Sequence, residues 1–317
     1  MCKNIARPLR DSLMDSLIYH AGYDNRICVV DCDVARHTRA DWFREKYPNR
    51  FYELGICEQN AVGFSAGLAS MGKRPVVTGF AGFLATRAWE QIEHSVVYNN
   101  SPVVLIATHG GLSAGEDGAT HQRFQDISLV MSIPSMNVLL PAFPSECDMA
   151  IRFALKSDKP TYIRVGRDVC TESPWTFNQN AVGDPIVLHS GLSGIALIST
   201  GEITHESIEA CKELLSMGIS VTHVHIGSLR PFNSSALFSL LGSDTDVITV
   251  EEHGKVGGLF ACIACESALQ GIRLKSLTPL YINSEFGQSG KRKELVDVYG
   301  IGSKAIVQTC LRIGNED

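Results

Sequence analysis

The amino-acid sequence predicts an α/β protein with two doubly wound domains, the second smaller than the first. Short apolar runs alternate with helical segments of about 10–15 residues along most of the chain, which is typical of parallel βαβ units. This alternation stops between residues 173 and 185, where the chain is polar and punctuated by proline, and it then restarts. The length of 317 residues suits about two domains. We therefore expect a first domain at residues 1–172, a linker at 173–185 and a second domain at 186–317.

The elements of the first domain are predicted from its apolar periodicity. Apolar residues at helical spacing indicate an amphipathic helix from Pro8 to His20. β-branched or fully apolar runs indicate the strands that follow, at residues 26–30, 50–54, 74–80, 101–108, 137–140 and 160–165. Helices are expected between them, after Gly55 and at residues 42–46, 86–98, 123–131 and 145–156.

The second domain restarts the alternation without repeating the sequence of the first. Strands are expected at residues 194–199, 220–226, 246–250 and 279–282. Helices are expected at residues 204–217, 234–241 and 258–270, and from Lys291 onward. This arrangement again predicts a sheet covered by helices.

The composition excludes several classes of function. The chain is 44% apolar and 20% charged, and its net charge of −6 comes from acids and bases that are interspersed. It has no basic patch of the kind that nucleic acids or anionic membranes require. No apolar run approaches the ~18 residues that cross a bilayer, and no secretory signal is recognisable. The ten cysteines lie mostly in predicted core elements without zinc-type spacing, so we expect free thiols, no metal site and a cytoplasmic protein.

Polar or reactive residues follow several predicted strands of the first domain. The strand ends of a doubly wound sheet share one edge, where ligands bind in a crevice. We expect these residues to converge there: Asp31, Asp33, Glu58, the loop 109–122, Arg164 and Arg167. The loop has four glycines, two histidines and two acids, a composition that indicates a tightly folded binding loop.

Glu58 is a lone carboxylate at the start of an otherwise small and apolar helix. Burial of a carboxylate is costly unless a partner group compensates it. An acid near the positive end of a helix dipole is the simplest explanation, and a functional carboxylate is the alternative. Phe80 and Phe83 end the strand that follows this helix, where aromatic side chains either fill the core or cap the crevice.

Glu58 and the glycine-rich loop together resemble the transketolase family of thiamine diphosphate enzymes. The most specific element is GEDGATHQ at residues 115–122, which is close to the family's GEDGPTHQ. The segment around Glu58 is similar to the family's G-x-x-E-x-x-x-x-x-x-x-G-x-A/S, and VEEHG at 250–254 and FGQSG at 286–290 are also family-like. The resemblance covers nearly the whole chain. It implies a pyrimidine-binding domain of the thiamin-diphosphate-binding fold, followed by a smaller transketolase C-terminal-like α/β domain.

The resemblance implies roles in catalysis and cofactor binding for five residues. The family's glutamate, matched by Glu58, hydrogen-bonds a ring nitrogen of the cofactor's aminopyrimidine and so promotes deprotonation of its thiazolium carbon. Phe83 resembles the aromatic residue that stacks on the pyrimidine, and Phe80 is a second candidate. His109 and His121 are implied to exchange protons with the substrate carbonyl and hydroxyls.

Further residues are implied to bind the sugar. Asp117 would recognise the hydroxyl configuration at the second carbon, with His121 beside it. Arg167 matches the family's arginine for the distal phosphate, a role that suits the planar guanidinium. Arg164 and His37 are additional candidates for substrate binding.

The sequence departs from the family in three ways. Cys57 stands where many transketolases have arginine, and Gly110 replaces the aspartate of their THDS sequence. The chain also lacks the GDG…N motif, which holds magnesium and the cofactor diphosphate in this family. The resemblance therefore implies the C-terminal subunit of a split transketolase. The binding site for thiamine diphosphate and Mg²⁺ would be completed by an N-terminal diphosphate-binding subunit in an α2β2 heterotetramer.

The implied reaction is transfer of a two-carbon ketol unit from a ketose, expected to be phosphorylated, to an aldose. A deoxyxylulose-phosphate-synthase-like subunit and a 2-oxo acid dehydrogenase β-like subunit remain open as alternatives, because both share the glutamate and the fold. The GEDGATHQ loop favours sugar transfer. A non-catalytic scaffold subunit is the alternative of another class, and the presence of Glu58 with both loop histidines argues against it.

Overall fold

The computed structural model describes residues 6–173, 182–242, 244–283 and 286–315. Its first α/β unit has the strands β1 (Arg7–Pro8), β2 (Ile27–Asp31), β3 (Phe51–Glu53), β4 (Arg74–Phe80), β5 (Val104–Thr108), β6 (Asn137–Leu139), β7 (Thr161–Arg164) and β8 (Val169–Cys170). Its helices are α1 (Leu9–Ala21), α2 (Ala35–Thr38), α3 (Ala40–Lys46), α4 (Glu58–Ser70), α5 (Ala81–Arg87), α6 (Asp126–Ser132) and α7 (Pro144–Lys156). A π-helix spans Gln91–Val97, and 3₁₀ turns span Pro48–Arg50 and Gly111–Thr120. The strands predicted for the first domain are confirmed, with small shifts of their ends.

The sheet of the first unit is parallel through six strands, in the order β6-β7-β5-β4-β2-β3. The four central strands β2, β4, β5 and β7 are almost wholly buried, because α1 and α7 cover one face and α4, α5 and the π-helix cover the other. All six carboxyl ends therefore meet at one edge, which is where a doubly wound sheet forms its crevice.

The second unit has the strands β9 (Ile186–His189), β10 (Ile195–Ser199), β11 (Thr222–His225), β12 (Ser228–Arg230), β13 (Asp246–Val250) and β14 (Ser276–Leu280). Its helices are α8 (Thr204–Ser216), α9 (Ser234–Leu241), α10 (Leu259–Leu269), α11 (Arg292–Val298) and α12 (Ser303–Asn315), with a 3₁₀ turn at Gly201–Ile203. Five strands form a sheet in the order β14-β13-β10-β11-β9, in which only β9 is antiparallel among these described strands. Two doubly wound α/β units were predicted, and the fold confirms them.

Two helix predictions are wrong in detail. A continuous helix at residues 86–98 was expected, but α5 ends at Arg87 and the π-helix begins at Gln91, since Ala88 leaves helical geometry with φ −105° and ψ 14°. A π-helix carries one extra residue per turn and is common near functional sites. The single closing helix expected after Lys291 is divided into α11 and α12 by a turn at Gly300, where φ is +67°.

The strand β12 joins the two units in a way that the sequence did not predict. It belongs to the second unit in sequence, yet it pairs antiparallel with β6 and becomes the seventh strand of the first sheet. Arg230 at its end donates hydrogen bonds to the carbonyl oxygens of Ile133 (2.6 Å), Met131 (2.7 Å) and Met136 (3.2 Å). One apolar cluster runs through both units, so their relative position is fixed by shared core and shared sheet.

The linker predicted at residues 173–185 lies mostly outside the described residues, which omit 174–181. Within the part of the chain that the structure describes, no helix is long and apolar enough to cross a bilayer.

Candidate active site

Glu58 is the first residue of α4, and its side chain is buried at the edge where the strands end. The chain segment that leads to Glu58 is held in place by Glu53 at the end of β3. One Glu53 oxygen accepts hydrogen bonds from the main-chain N–H groups of Gly55 (3.0 Å) and Asp33 (2.9 Å). Gly55 adopts φ +79°, a conformation that favours glycine, so the chain turns sharply there and delivers Glu58 into the crevice.

Glu58 is in contact with a residue that the sequence analysis did not select. The Arg87 Nη1 donates a hydrogen bond of 2.8 Å to Oε1 of Glu58. The same guanidinium lies over the ring of Phe83, with its carbon 3.9 Å from the ring centroid. Arg87 therefore links Glu58 to Phe83. Glu58 and Arg87 also line a cavity of about 650 Å³, together with residues 56, 57, 59 and 60.

Phe80 and Phe83 lie together with histidines from two other parts of the chain. The rings of Phe80 and Phe83 are stacked with centroids 6.0 Å apart. His109 packs on Phe80 at 4.1 Å, and His121 packs edge-on against Phe83 at 5.1 Å. His37 approaches Phe80 at 6.0 Å. The structure thus brings together five of the residues predicted from sequence for this site.

His109 is buried and held in a fixed orientation. It lies just after β5 with φ +57°, and its Nδ1 is 2.9 Å from the hydroxyl of Thr108. Its Nε2 is 3.4 Å from a guanidinium nitrogen of Arg10. Burial, reinforced by the positive charges of Arg10 and Arg167, lowers the pKa of His109 to about 3, so the ring is neutral at pH 7. Because guanidinium only donates, the contact with Arg10 favours the tautomer with its proton on Nδ1.

Arg10 is a second site residue that the sequence analysis missed. It lies in the first turn of α1, and it also donates a 3.0 Å hydrogen bond to the carbonyl of His37. Burial and the nearby arginines Arg39 and Arg167 lower its pKa. In the sequence of an amphipathic helix, Arg10 looks like any exposed polar residue. Its position beside the carboxyl ends of the strands, which only the structure shows, makes it a site residue.

The loop between His109 and His121 folds over the crevice in 3₁₀ turns. Arg167 forms an ion pair with Glu116 and lies 4.0 Å from Asp117, whose side chain is about half exposed. A side chain at Gly115, where φ is +59°, would come within 2.7 Å of Arg167. The glycine therefore allows the loop to pass close to this arginine, which brings Arg167 and Asp117 together.

Arg164, predicted as a substrate residue, is not brought to this group. Its side chain is 8% exposed, and it donates hydrogen bonds of 2.9 Å to the carboxylate of Asp126 and 3.0 Å to the carbonyl of Glu252. Both groups are buried, and Glu252 belongs to the second unit. A side chain at Gly110 would come within 2.5 Å of Arg164, so the departure to glycine at this position provides space for the arginine. Arg164 is a link between the units.

Asp31, at the end of β2, holds a turn at the edge of the crevice. Its carboxylate accepts hydrogen bonds from the Thr78 hydroxyl (2.5 Å) and the Val34 N–H (2.8 Å), and it thereby holds the turn that carries His37. Burial raises its pKa to about 6. Among the described residues, no group of three or more His, Cys, Asp or Glu side chains is arranged to bind a metal ion.

Comparison with known proteins identifies the family. The model of the transketolase pyrimidine-binding domain matches residues 7–171, and that of the transketolase C-terminal domain matches residues 187–306. The chain belongs to the transketolase family. A Methanocaldococcus jannaschii protein named "Putative transketolase C-terminal section" is 34% identical over 90% of this chain and 89% of its own length.

Two further relatives differ from each other in how much of their own length this chain covers. A solved structure described as "Split gene transketolase, inactive beta4 tetramer" has 29% identity and a TM-score of 0.84, covering 96% of this chain and 98% of that one. The 1-deoxy-D-xylulose-5-phosphate synthase of Nitratidesulfovibrio vulgaris (strain DP4) is 33% identical over 96% of this chain but only 48% of its own length. This transketolase-family chain is thus as long as a C-terminal section and about half as long as that synthase.

The residues around Glu58 fit the pyrimidine end of thiamine diphosphate, the cofactor that the family implies. An aminopyrimidine is flat and carries ring nitrogens, so it needs a hydrogen-bonding carboxyl at its edge and an apolar face to stack on. The guanidinium of Arg87, which is also flat and nitrogen-bearing, already contacts the Glu58 carboxylate and the Phe83 face. The donor set and the spacing of the two walls therefore suit such a ring.

Proposed function

We propose that this chain is the C-terminal subunit of a split, thiamine-diphosphate-dependent transketolase. It transfers a two-carbon ketol unit from a ketose to an aldose when it is combined with a separate diphosphate-binding subunit. The single observation that carries the proposal is the grouping of Glu58, Phe83, His109 and His121 at one edge of the first sheet. Membership of the transketolase family supports it.

Glu58 and Phe83 are proposed to hold the pyrimidine end of the cofactor. The bound cofactor supplies the carbanion chemistry of ketol transfer. Glu58 would present its carboxyl to a ring nitrogen of the bound cofactor, and the burial of that carboxyl would exclude water from proton exchange between them. Phe83 offers the stacking face, and Phe80 supports it from behind through their stacked rings.

His109, His121 and Asp117 are proposed to face the sugar carbonyl and hydroxyls. His109 is neutral with its proton on Nδ1 towards Thr108, so its Nε2, which lies 3.4 Å from Arg10, is proposed to accept a hydrogen bond from a substrate hydroxyl. His121 stands on the other side of the two phenylalanines and is more exposed, which suits exchange of protons with the substrate.

Arg167, Arg10 and His37 are proposed to bind the anionic end of a phosphorylated sugar. Arg10 and Arg167 are near enough for each to lower the pKa of His109, and Arg10 donates to the His37 carbonyl. The positive charge of Arg167 helps to lower the pKa of Arg10, so an anion that both contact would relieve their repulsion, and their fork geometry suits a phosphate. Glu116, paired with Arg167 in the free chain, would be replaced there by the substrate.

The proposal requires a second polypeptide. The sequence lacks the GDG…N motif, and the described residues contain no metal-binding group, so Mg²⁺ and the diphosphate are assigned to the partner. The relatives named as a C-terminal section and a split-gene transketolase support this division, and we propose an α2β2 assembly. The nine cysteines in the described part of the chain are free, which supports a location in the reducing cytoplasm.

The rival functions differ in what they consume. A deoxyxylulose-phosphate-synthase-like or 2-oxo acid dehydrogenase β-like subunit would release carbon dioxide from a 2-oxo acid, whereas a transketolase subunit consumes a ketose donor. The similarity to a 1-deoxy-D-xylulose-5-phosphate synthase favours keeping the first of these as the second candidate. A scaffold subunit would consume neither.

The test is reconstitution with the diphosphate-binding partner. The purified complex is supplied with thiamine diphosphate, Mg²⁺ and either a panel of ketose and aldose pairs or a 2-oxo acid with an aldehyde. We expect ketol transfer from a ketose phosphate, and we expect Glu58→Ala to abolish it while leaving the complex assembled. Carbon dioxide release in place of ketol transfer would favour the synthase-like function. Equal turnover by the wild type and Glu58→Ala would remove Glu58 from the mechanism.

A further inference from the structure

Arg87 makes both of the contacts that the proposed cofactor ring needs. Its Nη1 is 2.8 Å from the Glu58 carboxylate, where the ring nitrogen would bind. Its guanidinium carbon is 3.9 Å from the centroid of Phe83, which is the distance of a stacked ring. A guanidinium and an aminopyrimidine are both flat groups with nitrogen atoms at the edge. The guanidinium donates to the Glu58 carboxylate, whereas a ring nitrogen would accept a hydrogen bond from the protonated carboxyl. The two groups cannot occupy the same space between Glu58 and Phe83.

We infer that Arg87 holds the place of the aminopyrimidine in the cofactor-free chain and leaves it when thiamine diphosphate binds. The inference rests on the proposed function, because it assumes that the cofactor uses Glu58 and Phe83. Arg87 is then a positioning residue. It keeps the buried Glu58 carboxylate paired and the face of Phe83 covered until the ring replaces it.

The surroundings of Arg87 allow this exchange. Its side chain is 45% exposed, whereas that of Glu58 is 6% exposed, so the arginine can swing into solvent while the carboxylate stays in place. Arg87 is the last residue of α5, and helical geometry ends at the next residue. A side chain at the end of a seven-residue helix can change its rotamer without disturbing the strands behind it.

Removal of Arg87 should therefore tighten cofactor binding. In the wild type, binding must break an ion pair that is open to solvent on one side and a contact of a cation with an aromatic ring, each of modest strength. Losing both should lower the dissociation constant of thiamine diphosphate by roughly three- to tenfold. Arg87→Lys keeps a charge for Glu58 but loses the flat group over Phe83, so its affinity should lie between those of the wild type and Arg87→Ala.

An opposite result is expected if Arg87 is part of the cofactor site. The ring would then lie between Arg87 and another wall, and Arg87→Ala would weaken binding. A purely structural role would leave the affinity unchanged and lower only the stability of the fold. Only the placeholder role predicts tighter binding on loss of a contact.

The experiment measures thiamine diphosphate affinity by isothermal titration of the complex with its diphosphate-binding partner, in the presence of Mg²⁺. Wild type, Arg87→Ala and Arg87→Lys are compared with Arg152→Ala, which removes a similarly exposed arginine, paired with Asp148, from α7 far from the crevice. We expect tighter binding for Arg87→Ala and wild-type affinity for Arg152→Ala. Weaker or unchanged affinity in Arg87→Ala would overturn the inference.

The same titrations separate this inference from the proposed function. If the wild-type complex binds no thiamine diphosphate, the proposed function fails with it. If the wild type binds and Glu58→Ala binds more weakly, but Arg87→Ala does not bind more tightly, the function stands and the placeholder role is rejected. Thermal unfolding of every variant in the absence of cofactor checks that each is folded.

Discussion

The imidazole Nε2 of His225 lies 3.1 Å from both carboxylate oxygens of Glu146, and this pair joins α7 of the first domain to β11 of the second. Neither side chain is exposed by more than 1%. The pair is satisfied on both sides, because Glu146 also accepts from the Ala142 N–H at 2.6 Å and His225 Nδ1 bonds the Thr204 hydroxyl at 3.0 Å. A buried pair with all its partners in place fixes geometry more than it adds stability.

Loss of one member of this pair should be costly. Glu146→Ala leaves His225 and the Ala142 N–H without their acceptor inside the interface between the domains. We expect a loss of about 3 kcal/mol in the free energy of unfolding, since removal of one partner leaves a buried polar group unpaired. Chemical denaturation followed by tryptophan fluorescence and by circular dichroism measures it.

Glu209→Ala is the matched control for that change. Glu209 is on the exposed face of α8, where it pairs with Lys212 and is 63% exposed. Its loss should change stability by less than about 0.5 kcal/mol. Equal stability of the Glu146 and Glu209 variants would mean that the domains do not depend on the buried pair.

Glu202 should make the protein less stable as the pH rises. It lies in the 3₁₀ turn before α8, is buried, and packs so closely on Gly166 that a side chain there would overlap it. Burial raises its pKa from 4.5 to about 8. A carboxyl whose pKa is raised on folding contributes its full stability below pH 4.5, and this contribution is lost as the pH rises towards 8.

Glu202→Gln removes the titrating group and keeps its shape. The stability of the variant relative to the wild type should therefore increase between pH 5 and pH 8, by up to roughly 3 kcal/mol at pH 7. Thermal unfolding at several pH values measures this difference, and Glu209→Gln, on the surface, should show no such trend. A constant difference between Glu202→Gln and the wild type would show that Glu202 does not titrate in this range.

Much of the fold was predictable because it is encoded locally. β2, β4, β5 and β7 are apolar runs long enough to be recognised. The rule for parallel sheets places the residues that follow the strands, including Glu58 after β3 and His109 after β5, at one edge. The roles of Glu58 and the loop histidines came from the resemblance to a family. They remain proposals for this chain.

The rest depends on contacts between distant parts of the chain. Arg10 is a site residue because α1 begins beside the carboxyl ends of the strands, which no local pattern encodes. Arg164 ends a strand as predicted, but its buried guanidinium donates hydrogen bonds to Asp126 and to the carbonyl of Glu252. β12 belongs to the second unit in sequence but pairs with β6 of the first sheet. Sequence periodicity predicts the helix that carries Arg10 and the strand that carries Arg164 without identifying what these residues contact, and it does not predict β12 at all.

Arg167 should matter for substrates that carry a phosphate and little for those that do not. We expect Arg167→Ala to raise the KM of a phosphorylated ketose by about 10- to 100-fold, the cost of losing charge-assisted hydrogen bonds to an anion. The KM of an unphosphorylated ketose should change by less than about threefold. Steady-state kinetics of the reconstituted complex with matched phosphorylated and unphosphorylated donors measures both.

Two further variants, Arg10→Ala and Arg152→Ala, serve as comparisons for Arg167→Ala. Arg10 also contacts His109, so its loss should lower kcat as well as raise KM for the phosphorylated donor. Arg152 is on the outer face of α7, and its loss should change neither constant. If Arg167→Ala raises the KM of the phosphorylated and the unphosphorylated ketose equally, this arginine supports the loop through Glu116 and does not bind phosphate.

His109 should act as a neutral hydrogen-bonding group at every pH at which the enzyme works. Its pKa is lowered to about 3, chiefly by burial, so the ring stays in its neutral form between pH 5 and pH 9. We expect His109→Gln to lower kcat/KM by about 100-fold while leaving the shape of the pH profile unchanged. If the variant instead loses a limb of the profile centred near pH 6 to 7, His109 titrates there and serves as an acid or base. Nitrogen NMR of the imidazole in the isolated chain gives an independent answer, because a ring with its proton on Nδ1, accepting from Arg10 at Nε2, should keep one pair of shifts throughout this range.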